Sequence, residues 1–196
     1  MTTDIININA EIFRLFSIMF YDPRETFLKE PEIVKLLGEL LVTVDPSFND
    51  SAKELIAGLA EVEETELVLD YSALFIGPYQ LQAPPYGSVY LDKSKRLNDE
   101  SSEEVANVYR QFGLDVDSSM KEPADHIAIE LEFMHTALIM LDNSEESEKL
   151  GLILTEFETM YLKPFATQMC DLMVKNASTT LYRSVGKLLG RWLAKA

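Results

Sequence analysis

The sequence predicts an all-α fold, and three observations carry that expectation. Apolar residues recur at helical spacing through most of the chain. Alternating strand patterns are almost absent, with only Ser88 to Leu91 briefly ambiguous. The composition, 47% apolar and 26% charged over 196 residues, is that of a folded chain able to bury roughly 70% of its unfolded surface without a disulfide or metal.

The elements follow in order. Ile8, Ile12, Leu15, Phe16 and Met19 line one face of a first helix, ended by Asp22-Pro23. Ile33, Leu36, Leu37, Leu40 and Leu41 repeat the pattern between Pro31 and Pro46. Asp50-Ser51 is placed to cap a third helix reaching about Glu61. Glu63 to Phe75 reads as a fourth, with Leu67, Tyr71, Leu74 and Phe75 along one stripe. A long non-helical loop is expected around residues 77–92, which hold Gly77, Pro78, Pro84, Pro85 and Gly87. Helices resume from Ser102 to Phe112, with Gly113 as the stop. Pro123 suits the first turn of a helix running to Asp142. Ser144 is placed to cap the next, and two further patterns cover about Leu150 to Lys175 and Ser178 to Ala196. The expectation is one multi-helix domain over residues 1–196.

Charge narrows the function classes. There are 33 acidic against 17 basic residues, a net charge of −16. Such a surface repels phosphate backbones, so nucleic-acid binding is not expected, and a cationic partner is favoured. A single cysteine, Cys170, excludes an internal disulfide and disfavours a multi-cysteine metal site. Met1 to Ala10 is polar and acidic where a secretory signal would be basic, and Leu15 to Tyr21 is far short of a membrane span. A cytoplasmic protein is expected.

One segment stands apart. Tyr71 to Leu91 contains no charged residue, and four of the eight tyrosines lie in it, at 71, 79, 86 and 90. Glycines, prolines and glutamines exclude a membrane span there. Pro84-Pro85-Tyr86 lacks the spacer of a proline-proline-any-tyrosine ligand. One reading is a loop packed over the core. The other is an apolar groove rimmed by tyrosines, which offer flat contact area with a polar tip.

Leu74-Phe75-Ile76-Gly77-Pro78 and Ala83-Pro84-Pro85-Tyr86-Gly87-Ser88-Val89-Tyr90-Leu91-Asp92 resemble the signature loop of the TorD/DmsD family, leaning to the DmsD branch. Glu122-Pro123-Ala124-Asp125-His126 resembles its Glu-Pro-x-Asp-His motif, and Leu181-Tyr182-Arg183-Ser184-Val185-Gly186 is a weaker third match. Positions 79, 86 and 90, often tryptophan in relatives, are all tyrosine here. The resemblance implies an all-helical cytoplasmic chaperone without catalysis or cofactor, dedicated to a molybdenum-cofactor oxidoreductase of the dimethyl sulfoxide or trimethylamine oxide reductase type. It implies binding of the precursor's twin-arginine leader peptide, which is held back from export until the cofactor is inserted. The client itself, transient contact with the membrane or export machinery, and a monomer or a domain-swapped dimer are left open.

From this the peptide site is expected to comprise Tyr71, Leu74, Phe75, Tyr79, Pro85, Tyr86, Ser88, Tyr90, Asp125 and His126. The aromatics and Leu74 would hold the leader's apolar part, and Pro85 would shape the loop. Ser88 would cap a turn or bond the peptide. Asp125 would meet an arginine, and His126 would orient the site. Taken without the family, Asp125 and His126 read as ordinary first-turn residues, the aspartate complementing the helix dipole.

Rival chemistry is poorly supplied. Glu132-Phe-Met-His135 has the Glu-x-x-His spacing of half a di-iron site. A helical metal-dependent enzyme using His126, Glu130, Glu132 and His135 is therefore the alternative reading. Nine residues at about 100° each would set the two histidines on opposite faces of one helix. No Gly-x-Ser-x-Gly elbow or phosphate-binding loop occurs, and Cys170 sits in an apolar helical context. In the last helix Arg183, Lys187, Arg191 and Lys195 form a basic stripe opposite an apolar face. It reads as a solvated face or as contact with an anionic membrane or acidic partner.

Overall fold

Every regular element among the described residues is helical. The computed structural model describes residues 2–77, 80–117, 122–142 and 146–195, with side chains from residue 7 onward. Tyr79 and the expected cap Ser144 lie outside the described residues. The helices are α1 Thr2–Ile18, α2 Glu32–Val44, α3 Asn49–Glu61, α4 Glu64–Tyr71, α5 Ser88–Leu91, α6 Glu100–Gln111, α7 Ile127–Asp142, α8 Ser147–Phe157, α9 Lys163–Asn176 and α10 Thr180–Leu193.

Several ends differ from expectation for local reasons. A 3-10 turn, Pro46–Phe48, feeds α3 directly, so the cap falls on Asp45, whose side chain accepts from the Ser47 N–H, and not on Asp50-Ser51. Helix α4 runs on through a π turn, Ser72–Ile76, and stops at Gly77 with φ 93°. The loop around 77–92 contains one helical turn, α5, where the strand pattern was ambiguous. Gly113 ends α6 at φ 71°. Its N–H donates to Arg110 C=O and that of Leu114 to Tyr109 C=O, the paired bonds of a Schellman stop. A second π turn, Glu158–Leu162, joins α8 to α9 beside Pro164, whose ring cannot fit a regular helix interior.

The chain divides into two compact units. Unit 1 is Met1–Ser17 with Tyr86–Ala166, and unit 2 is Ile18–Pro85 with Thr167–Ala196. The core of unit 1 is aromatic: Phe133 lies against Tyr109, Phe112 and Phe157, with ring centroids 4.4, 5.1 and 5.0 Å away. His135 Nδ1 lies 2.9 Å from Ala10 C=O, which ties α7 to α1. In unit 2, α10 packs closely on α3. A Cβ at Gly58 would lie 2.8 Å from the Leu181 backbone nitrogen, so only glycine fits there. A second aromatic group in unit 2 places Phe75 edge-on to Phe20, Tyr71 and Tyr182 at 5.5–5.6 Å.

Candidate functional site

Helix α7 begins at Ile127, later than Pro123 suggested, and the delay builds the site. Residues Pro123–His126 form a turn in which the His126 N–H donates to Pro123 C=O. His126 becomes the N-cap. Its C=O accepts from the Glu130 N–H, and its ring Nδ1 accepts from the Ala128 N–H at 3.2 Å. The residue before it, Asp125, faces the loop. Its C=O accepts from the Gly87 N–H at 2.8 Å, and its Oδ2 accepts from the Ser88 N–H at 2.7 Å. Tyr86 and His126 form an isolated antiparallel bridge, their rings meeting edge-on at 5.2 Å. The Tyr86 hydroxyl donates to Glu122 at 2.8 Å. Below this, the Tyr109 hydroxyl donates to Ala124 C=O. The Glu122–His126 turn thus clasps the Tyr86–Ser88 segment through both backbone and side chains.

The core of the clasp is buried and acidic. Asp125 and Glu130 are 0% exposed and His126 is 6% exposed. Burial drives the His126 pKa down to about 4, against the pull of Glu122 and Asp125, so the ring is neutral at pH 7. That agrees with Nδ1 acting as an acceptor, which places the proton on Nε2. Burial, reinforced by the Asp125 charge, holds Glu130 well above the ordinary carboxyl range. Among the described residues, Ser88 Oγ, Asp125 Oδ1 and both Glu130 oxygens are buried without a hydrogen-bond partner.

The expected site residues divide between the units. Tyr86, Ser88, Tyr90, Asp125 and His126 come together in unit 1, with Tyr90 tilted against Phe165 at 5.9 Å. Tyr71, Leu74, Phe75 and Pro85 belong to unit 2 and are buried there. Leu74 C=O accepts from the Ala83 N–H and Ala73 C=O from the Gln82 N–H, folding the loop's first half back on the π turn. Asn176 Nδ2 donates to Gln82 C=O at 3.0 Å. The Asp125 carboxylate is enclosed and turned to the Ser88 amide, a position that holds the loop.

Two further acids are buried. Glu130 entered the sequence reading only as a candidate metal ligand. Asp70 escaped it, and it accepts from the Ser178 and Thr179 amides at 2.9 and 2.8 Å and from Thr179 Oγ1 at 2.6 Å. The signal was present: Asp70 shares the helix face of Leu67, Tyr71 and Leu74, and Glu130 that of Ile127, Leu131 and Met134.

The rival motifs resolve locally. His126 caps α7 and His135 meets Ala10. Among the described residues no group of three or more His, Cys, Asp or Glu is placed to hold a metal ion. The basic stripe is engaged within unit 2. Arg183 donates to Ala177 C=O, Lys187 pairs with Glu54 at 3.1 Å, and Lys195 pairs with Asp45. Arg191 donates to Ser51 and lies over the Phe48 ring at 4.7 Å. Cys170 is buried, its thiol pushed up to about 12 by burial first and the Asp171 charge second, which leaves it without thiolate character. No helix of the described residues is long and apolar enough to cross a membrane.

Residues 43–171 match the family described as the nitrate reductase delta subunit. The chain is 33% identical over 149 residues to the chaperone protein TorD of Vibrio parahaemolyticus, covering 71% of this chain and 68% of that one. The chain belongs to the TorD/DmsD family of redox enzyme maturation chaperones. The Tat proofreading chaperone DmsD of Salmonella typhimurium is 26% identical over 186 residues, covering 93% of this chain and 87% of that one. The fold is shared with a crystal structure of a proposed redox enzyme maturation protein from Archaeoglobus fulgidus, at a TM-score of 0.62 and 20% identity over 95% of this chain and 94% of that one. The TorD/DmsD family is one of maturation chaperones and not of enzymes. The Tyr86–Asp92 part of the segment that resembles the family's signature loop, and the Glu122–His126 block, are the partners of the clasp in unit 1.

Proposed function

We propose that this chain is a cytoplasmic chaperone that binds the twin-arginine leader of a molybdenum-cofactor oxidoreductase precursor and delays its export until cofactor insertion is complete. The carrying observation is the clasp: an uncharged, tyrosine-bearing segment whose backbone amides at Gly87 and Ser88 are fixed on Asp125. A recognition segment already held in place loses little conformational freedom on binding. In this reading the half-buried Tyr86 and Tyr90 offer their rings to the leader's apolar stretch. Tyr79 joins them on its sequence position alone. Pro85 and Ser88 shape the loop, while Tyr71, Leu74 and Phe75 support its base from the core of unit 2. Asp125 and His126 act through the loop and the start of α7. The net charge of −16 attracts the leader's cations.

The test is calorimetric titration of the full chain with synthetic leaders at low and high salt. The probe carries two arginines followed by an apolar stretch. One control replaces the arginines by alanine, and a second makes the stretch polar. Saturable binding that falls in both controls, and weakens with salt for the arginine peptide, is expected. No saturable binding to leaders from several reductases would refute the reading.

A further inference from the structure

Unit 2 carries a cavity of about 460 Å³, outside the predicted site, lined by Gly58 and Glu61 of α3, Val62, Glu66 and Leu69 of α4, and residues 178–180 at the start of α10. We propose that this cavity receives the arginine pair of the leader peptide. The inference rests on the leader-binding reading and assigns its cationic half a place.

Charge is the first argument. Glu61, Glu63, Glu64 and Glu66 put four carboxylates into six residues with no base among them, and all four are exposed. Among the described residues neither Glu61 nor Glu66 forms an ion pair or side-chain hydrogen bond, whereas the cations of the α10 stripe are taken up by Asp45, Glu54 and the Ser47–Ser51 segment. The amino end of α10 would otherwise invite an anion. Asp70 already occupies the Ser178 and Thr179 amides, so Glu61 and Glu66 supply the charge that borders the cavity.

Shape is the second. Leu69 is 65% exposed and stands one turn beyond Glu66 on the same face of α4. An exposed leucine beside unpaired carboxylates suits a long side chain with an apolar stem and a charged head. Glu61 closes α3 and Glu66 lies in the first turn of α4, so two carboxylates from separate helices border one cavity. A planar guanidinium can use both. The volume falls in the usual range for a small ligand site, with room for more than one side chain.

The experiment compares peptides and variants by calorimetry at low salt. Wild type, E61Q/E66Q and a charge-matched control, E148Q/E156Q on α8 of unit 1, are each titrated with the arginine peptide and its alanine version. Wild type should prefer the arginine peptide by about tenfold, the sum of two exposed ion pairs. In E61Q/E66Q that preference should shrink to about twofold while binding of the alanine peptide is unchanged. In E148Q/E156Q the preference should persist. A preference that persists in E61Q/E66Q overturns the assignment and leaves leader binding intact. An equal collapse in both variants also overturns it, since net charge alone would then account for the effect. Absence of binding to wild type overturns the assignment together with the leader reading.

Discussion

Asp125 has two incompatible roles open to it, and a pair of substitutions separates them. As an arginine partner it would act through its charge. As a clasp it acts by accepting the buried Ser88 N–H at 2.7 Å. Asp125→Ala removes the acceptor and strands an amide belonging to a residue that is itself 0% exposed. A hydrogen bond to a charged group contributes about 1.5–3 kcal/mol, and an unmet buried donor sits at the upper part of that range, so a loss of about 2–3 kcal/mol is expected. For a chain of this length that lowers Tm by roughly 4–12 °C. If the loop must be re-ordered on binding, about 2 kcal/mol of that cost weakens peptide affinity by roughly 30-fold. Asp125→Asn keeps a carbonyl oxygen for Ser88 and loses only the charge assistance, about 1 kcal/mol. Its affinity should stay within about threefold of wild type. Thermal melts and calorimetric titration of both variants supply the two readouts. Equal losses of affinity in Asn and Ala variants, with the Asn variant's Tm unchanged, would show that the charge itself meets the ligand and would refute the clasp.

Three further outcomes follow from the same buried groups and from the helix packing. His126 has its folded pKa below its unfolded value, so it favours the fold fully above about pH 6.5 and loses that contribution as pH falls towards about 4, by up to tenfold in the folding constant per pH unit. NMR of its ring should show titration near 4, and titration near 6.5 would contradict the buried neutral cap. Glu130 has its pKa raised, so the folded state retains a proton that the unfolded chain releases, and stability drains away as pH rises above the ordinary carboxyl range. Urea unfolding of Glu130→Gln should therefore show an advantage over wild type that grows from pH 5 to pH 8, and a constant difference would argue against a protonated acid. Gly58→Ala should cost about 1–3 kcal/mol in the same assay, because the added Cβ meets the backbone of Leu181 and not a side chain that can turn away.

Much of this molecule is legible locally. Helical spacing, Pro46, Gly77 and Gly113 locate most elements to within a few residues, because each acts through its own backbone or through neighbours three and four positions away. The absence of charge from Tyr71 to Leu91 and the Glu122–His126 block mark the segments that meet. Their pairing is long-range. The Ser88 amide and the Asp125 carboxylate are separated by 37 positions, and no periodicity announces that bond. It also moves the start of α7 from Pro123 to Ile127 and turns His126 from a first-turn residue into a cap. Likewise, the sequence placed Asp70 and Glu130 on apolar helix faces without saying what would receive them. Asp70 found two amides and a hydroxyl at the start of α10, so it is held by three hydrogen bonds. Glu130 found no donor among the described residues, and burial beside the Asp125 charge holds its carboxyl well above the ordinary range. Sequence determines which side chains must leave water. Only the packed chain decides which polar partners they meet there, since burial follows from local pattern while hydrogen-bond partners follow from where distant segments come to rest.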